Sequence, residues 1–141
     1  MLLCVALFGT MTSCSKDNGE YSMPSNDNEI YNLLIGKWQI RAVCATEIIF
    51  TGDMELKESG ELQMNISYSD HSYSGIGSYA LYKRHIDLSI YYLQDCPSFL
   101  FDFSGTIYSI TEDKMVLVGW ADVVPHLNHE AGLEIQCIKV Q

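Results

Sequence analysis

The sequence predicts an all-β domain: an antiparallel up-and-down barrel of eight strands, with one short helix at its N-terminal side. A length of 141 residues suits a single domain. A content of 48% hydrophobic and 18% charged residues is typical of a chain that buries a core. Eight short segments read as strands, most of them with apolar residues alternating with polar ones, and closing such a meander removes its exposed edges. A sandwich of two sheets is the alternative architecture.

The chain begins with an apolar run over residues 1–11, which has the size of a signal peptide and is too short to cross a bilayer. The following Thr12-Ser13-Cys14-Ser15 resembles the lipobox of bacterial lipoproteins. That resemblance implies a signal peptide over 1–13, lipidation (including palmitate) at Cys14 as a membrane anchor, and, from Ser15, transport to the outer membrane. The alternative is a frayed apolar terminus with an ordinary thiol. The polar stretch 14–28 then reads as a lipidated tether.

A short helix is predicted next, before the first strand. Asn26 is placed to cap its N-terminus, with Glu29 three residues later as in a capping box. Ile30, Leu33 and Leu34 share one helical face, and Gly36 ends the helix.

The rest of the chain, within a domain predicted over residues 29–141, has the period of two that marks half-buried strands. Gly52 interrupts one segment as a kink or bulge. The stretch 115–120 is apolar on both faces. The apolar positions of the other segments are Trp38, Ile40, Ala42, Cys44; Ile48, Phe50, Met54, Leu56; Leu62, Met64, Ile66, Tyr68; Tyr79, Leu81; Ile86, Leu88, Ile90, Tyr92; Phe99, Phe101, Phe103, Ile107; and Leu133, Ile135, Cys137.

Gly36-Lys37-Trp38, directly after the short helix, looks like the Gly-x-Trp motif of the lipocalins. The hairpin segments 54–62 and 111–117 are similar to those of bacterial lipocalin-like lipoprotein domains. The resemblance implies that Trp38 closes the barrel floor and that Lys139 stands where lipocalins often place an arginine packed over this Trp. It also implies a domain that binds or presents a molecule and is not an enzyme.

The lengths of the connections predict where a ligand would enter. Turns near Ser59, Arg84 and Asp113 are tight, whereas the alternate connections 69–77, 93–97 and 121–132 are longer, so one end of the barrel should carry the loops. Aromatic rings with a polar edge suit a sugar or another small amphipathic ligand. The alternative is ordinary solvated loop chemistry. The candidate ligand-binding residues at this mouth are His71, Tyr73, Tyr92, Trp120, His126 and His129, with Cys96 beside them.

The lumen itself should be nearly filled. Eight strands tilted by about 40° give a backbone radius of roughly 8 Å, and inward side chains occupy most of it. Phe99, Phe101, Phe103 and Tyr79 would line this space. We therefore expect a packed lower core with at most a shallow pocket above it.

Charge and composition argue against several other functions. A net charge of −10 is unsuited to nucleic acid, whose binding requires clustered cations. We find no Gly-x-Ser-x-Gly elbow or Cys–His pairing, and we expect neither catalysis nor a cofactor. His126 and His129, with Asp122, Glu130 and His71, form a weak metal-ligand pattern that is more simply read as solvated loop residues.

Three cysteines remain in the predicted domain: Cys44, Cys96 and Cys137. The first bridge to test is Cys44–Cys96, near the mouth. Pairing of the first and last strands, with Trp38 near Lys139, places Cys44 and Cys137 out of register and beyond disulfide reach. Three free thiols are the simpler interpretation.

The sequence thus predicts a lipid-anchored lipoprotein of the cell envelope whose domain binds a small apolar or amphipathic ligand at the loop-rich end. The alternative is an interaction module without a pocket, which docks an envelope protein or a glycan through its loops.

Overall fold

A computed structural model describes residues 23–24, 26–68, 70–94, 100–124 and 132–141. They form one helix and eight strands, in the order α1 (Asp27–Leu34), β1 (Gly36–Cys44), β2 (Glu47–Leu56), β3 (Glu61–Tyr68), β4 (His71–Tyr82), β5 (His85–Gln94), β6 (Leu100–Ile110), β7 (Lys114–Val124) and β8 (Gly132–Lys139).

The strands form a closed barrel in which each strand pairs with its neighbours in the chain and β1 pairs with β8. All of these pairings are antiparallel, and the closing register sets Trp38 opposite Lys139 and Ala42 opposite Ile135. The predicted up-and-down barrel is confirmed, and the sandwich alternative is wrong.

Helix α1 forms as its sequence predicts. The Asn26 side chain accepts a hydrogen bond of 2.9 Å from the backbone N–H of Glu29, which satisfies one of the free donors of the first turn. Ile30 and Leu34 are buried against the barrel. The helix ends at Leu34 with Ile35 as its C-cap, and Gly36 follows with a φ of +136°.

Glycines on the inward face let the strands coil tightly enough to close. A Cβ on Gly52 would lie 1.9 Å from the carbonyl oxygen of Asn65, and one on Gly77 would lie 1.7 Å from that of Ser89. The register of β2 continues unbroken through Gly52, so no bulge lies at this glycine, whereas the β4–β5 register shifts between Ile76 and Gly77. Strand curvature of this kind is what closure of a small barrel requires.

The predicted long connection over 69–77 is wrong. Strand β4 begins at His71, so β3 and β4 are joined by residues 69–70 alone, and Asp70 has a φ of +69°. The Ser, Tyr and Gly content resembles a loop, but Tyr73, Gly75 and Gly77 alternate inward along the strand. The β1–β2 turn at the same end is also tight, with only residues 45–46 between the strands. The remaining connections of that end, 95–99 and 125–131, lie outside the described residues.

Candidate functional site

The floor of the barrel is closed by α1 through two side chains that hydrogen-bond its last carbonyls. The indole Nε1 of Trp38 donates to the Leu34 carbonyl at 2.9 Å. The ammonium of Lys139 lies 4.2 Å from the centre of the Trp38 ring and donates to the carbonyls of Leu33, at 2.8 Å, and Ile35, at 2.6 Å. These contacts satisfy helix-end groups that otherwise lack partners. Partial burial lowers the pKa of Lys139.

Gly36 leaves room at the floor for the Lys139 side chain, which crosses directly over it. A Cβ at this position would lie 2.9 Å from both Cε and Nζ of Lys139. The φ of +136° is also a conformation that residues with a side chain rarely adopt. The Gly36-Lys37-Trp38 motif is therefore explained by the packing of the floor.

The lumen is filled at the level just below the mouth. Phe50 on β2 and Phe101 on β6 come from strands four positions apart in the ring of eight, which places them on opposite walls. Their rings meet edge to face with centroids 5.7 Å apart, so they span the barrel axis. Both side chains are 1% exposed.

The predicted packing of the lower core agrees with this arrangement. Phe103 and Tyr79 are buried, as expected, whereas Phe99 lies outside the described residues. The Tyr79 hydroxyl donates to the Lys57 carbonyl, and burial raises the pKa of Tyr79 well above its usual value.

Two of the predicted ligand-binding residues lie together at the mouth. Tyr73 is half-buried on the inward face of β4 and packs against the core, and His71 is exposed at the start of the same strand. Their ring centroids are 6.2 Å apart. Cys44 and Ile49 are also half-buried at this end. We call these four residues, which lie at the mouth ends of their strands, the rim.

Trp120 does not line the mouth, which corrects the prediction. Along β7 the inward positions are Met115, Leu117 and Ala121, all buried, so Trp120 lies on the outer face, where 59% of it is exposed. Because residues 115–120 are apolar on both faces, the sequence shows no alternation there that could assign Trp120 to the inside or the outside of the barrel.

The other predicted site residues are not placed by the structure. Cys14, Cys96, His126 and His129 lie outside the described residues, and Tyr92 belongs to β5 without a described side chain. Within the described ranges, no three metal-binding side chains converge.

The outer face carries a feature that the sequence did not reveal. A groove of about 380 Å³, lined in part by Val43, Val118, Trp120, Gly132 and Glu134, runs across β7, β8 and β1; we call it the outer groove. It adjoins a second concavity of about 680 Å³, which shares Val118 and Glu134 and adds Arg41 and Gln136.

A hydrogen-bonded row of polar side chains borders the outer groove. Arg41 donates through Nε (3.0 Å) and Nη2 (2.6 Å) to the amide oxygen of Gln136, whose amide nitrogen donates to Glu134 at 2.7 Å. The row exists because Arg41 pairs with Gln136 across β1 and β8. Arg41 and Gln136 are 95 positions apart in the chain, so the row could be found only once the pairing of the two strands was known.

A second polar cluster, on β5 and β6, does not have the geometry of a catalytic triad. Ser104 Oγ lies 3.3 Å and Asp87 Oδ1 lies 3.0 Å from His85, but both contact the same nitrogen, Nε2. A triad requires the nucleophile and the carboxylate on different ring nitrogens. The His85 and Asp87 side chains are also about half exposed.

The cysteines within the described ranges are free. Cys44 is half-buried and Cys137 is buried. Because Cys137 pairs with Ile40, four residues before Cys44, no bridge joins the two, as the predicted register requires. Burial raises the pKa of the Cys137 thiol well above its usual value. Cys96 lies outside the described residues, so a Cys44–Cys96 bridge stays a hypothesis.

The comparisons with known proteins support the fold alone. No protein-family model matches the chain, and no curated protein matches it. Solved structures that are similar include a redesigned β-barrel, with a TM-score of 0.55 and 14% identity, covering 78% of this chain and 94% of the other. In the part of the chain that the structure describes, no helix has the length and apolar character needed to span a membrane.

Proposed function

We propose that the chain is a lipid-anchored lipoprotein of the cell envelope whose barrel is a non-enzymatic binding module acting through its surface. The observation that supports surface binding is the Phe50–Phe101 contact across the barrel axis. A lumen that its own side chains occupy at this level leaves little room for a ligand. Binding is then left to the rim and to the outer face.

The anchor is proposed from the sequence around Cys14, which resembles a lipobox. Two or more acyl chains on one cysteine give stable membrane attachment. The polar tether would then join that anchor to α1, at the floor of the barrel. This arrangement leaves the mouth and the outer face accessible.

A second candidate is a small amphipathic ligand at the rim, as the sequence first indicates. It is favoured by Tyr73, which is half-buried above the phenylalanine pair with the His71 ring 6.2 Å from its own. Such a ligand would lie shallowly and contact the hydroxyl edge of Tyr73.

The anchor is tested by metabolic labelling with palmitate. We expect the full chain to incorporate label, Cys14→Ala to lose it, and Cys44→Ala, which alters a cysteine of the domain, to keep it. Label that persists in Cys14→Ala would contradict the proposed anchor.

The mode of binding is tested by native mass spectrometry of the full chain after exposure to an envelope extract, with capture of protein partners in parallel. Surface binding predicts a captured protein or glycan whose retention does not depend on Tyr73. A small molecule that is retained by the natural chain and lost in Tyr73→Ala would instead support the rim as the site.

A further inference from the structure

We propose that the outer groove binds a neutral saccharide, with Trp120 as the stacking platform and the Arg41–Gln136–Glu134 row as its hydrogen-bonding edge. This inference rests on the proposed function, because it names the ligand class for a surface-binding module.

The platform is the exposed ring of Trp120, and the residue beside it is a glycine, which leaves space. Trp120 is 59% exposed on the outer face, and its partner across the strands is Gly132. A Cβ on Gly132 would only just touch the ring, at 4.0 Å from Cζ3, so the glycine leaves space beside the indole. The face of an aromatic ring carries partial negative charge, and the C–H groups on one face of a pyranose carry partial positive charge. The two surfaces are therefore complementary.

The hydrogen-bonding edge is preorganised at a suitable spacing. Glu134 lines the outer groove together with Trp120 and is one step along β8 from Gly132 on the same face, about 7 Å away. Its carboxylate is held by Gln136, which is held in turn by Arg41. Planar acceptors and donors whose rotamers are already fixed lose little entropy when they bind hydroxyl groups.

The charge of the site favours a neutral ligand. The row contains one guanidinium and one carboxylate, which balance each other, and the whole chain carries a net charge of −10. A phosphorylated or acidic ligand would be repelled at long range. The volume of the outer groove, about 380 Å³, lies within the range of small-molecule sites.

The experiment is a titration of the full chain with a panel of neutral oligosaccharides, followed by tryptophan fluorescence. The chain is kept in a zwitterionic detergent, because detergents with sugar headgroups would compete. Trp38 is fully buried, so a saccharide that stacks on Trp120 changes the emission of the exposed indole alone. We expect a saturable change with at least one member of the panel, measured in parallel by calorimetry.

Three variants test the site, with a fourth as control. Trp120→Ala should weaken calorimetric binding by about tenfold or more, as loss of an aromatic anchor does. Gly132→Val, which fills the space beside the indole without removing it, should also weaken binding, and Glu134→Ala should remove an acceptor. The control is Tyr91→Ala, since Tyr91 is also an exposed aromatic, at 71%, but lies on β5 and does not line the outer groove. It should bind as the natural chain does.

Several outcomes would overturn the inference. These are an absence of binding across the panel, binding that Trp120→Ala leaves intact, self-association through Trp120, and adsorption to neutral phosphatidylcholine vesicles through Trp120. If the chain is palmitate-labelled and captures a protein partner while no saccharide binds, the proposed function stands and only this inference fails.

Discussion

Removal of the Lys139 ammonium should destabilise the contact between α1 and the floor of the barrel. In Lys139→Met the apolar stem remains, but the carbonyls of Leu33 and Ile35 lose their donor and the Trp38 ring loses its cation. Two hydrogen bonds from a charged group contribute about 1.5 kcal/mol each at the lower end, and the cation–π contact about 0.5–1 kcal/mol. Burial, which lowers the pKa of Lys139, offsets part of this sum. We expect a net loss of about 2 kcal/mol in the free energy of unfolding.

The assay is urea unfolding followed by far-ultraviolet circular dichroism, with the m-value expected to stay constant. Lys37→Met is the matched control, because Lys37 is exposed on the same sheet and its loss should change stability by less than about 0.5 kcal/mol. Lys139→Arg should retain most of the stability, since a guanidinium also stacks on indole. A Lys139→Met variant no less stable than Lys37→Met would show that the Lys139 ammonium does not stabilise the floor.

Two further substitutions test the floor and the core by the same unfolding assay. Gly36→Ala should cost about 1–3 kcal/mol, from its φ of +136° and the clash with Lys139. The cost should exceed that of Gly60→Ala, whose φ is +91° but whose Cβ would meet only the Tyr79 carbonyl oxygen, at 4.0 Å; equal costs would count against the clash. Tyr79→Phe should cost about 1 kcal/mol at neutral pH for the lost hydrogen bond. Folding raises the pKa of Tyr79, so its contribution to the free energy of unfolding is complete below the unfolded pKa of 10 and is lost as the pH rises above that value. Tyr79→Phe should therefore reduce the loss of stability at alkaline pH. An unchanged slope of stability against pH would contradict the raised pKa of Tyr79.

The barrel could be predicted from sequence because its information is local. Period-two alternation assigns one face of each strand to the interior, and the Asn26 cap and Gly36 delimit the helix without reference to the rest of the chain. The contact between Trp38 and Lys139 could also be expected, although it is long-range, because closure of a meander must bring its first and last strands together.

The mouth could not be predicted with the same success. The segment after Tyr68 has the composition of a loop, yet Tyr73 and the inward glycines make it a strand, because barrel closure favours glycines at tightly coiled positions. Trp120 lies in a strand that is apolar on both faces, so only the register of that strand shows that this side chain lies on the outer face of the barrel. The row from Arg41 to Glu134 depended on register in the same way.

The central claim, that the lumen is filled and binding belongs to the surface, is tested most directly by uptake of benzene. Phe101→Ala should cost about 3–5 kcal/mol and leave a dry apolar cavity on the barrel axis, which benzene can occupy. We predict that benzene raises the melting temperature of Phe101→Ala in a saturable manner and leaves that of the natural chain and of Tyr91→Ala unchanged. Saturable uptake of benzene by the natural chain, lost when Phe50 is replaced by the larger Trp, would reveal an open lumen and contradict the account.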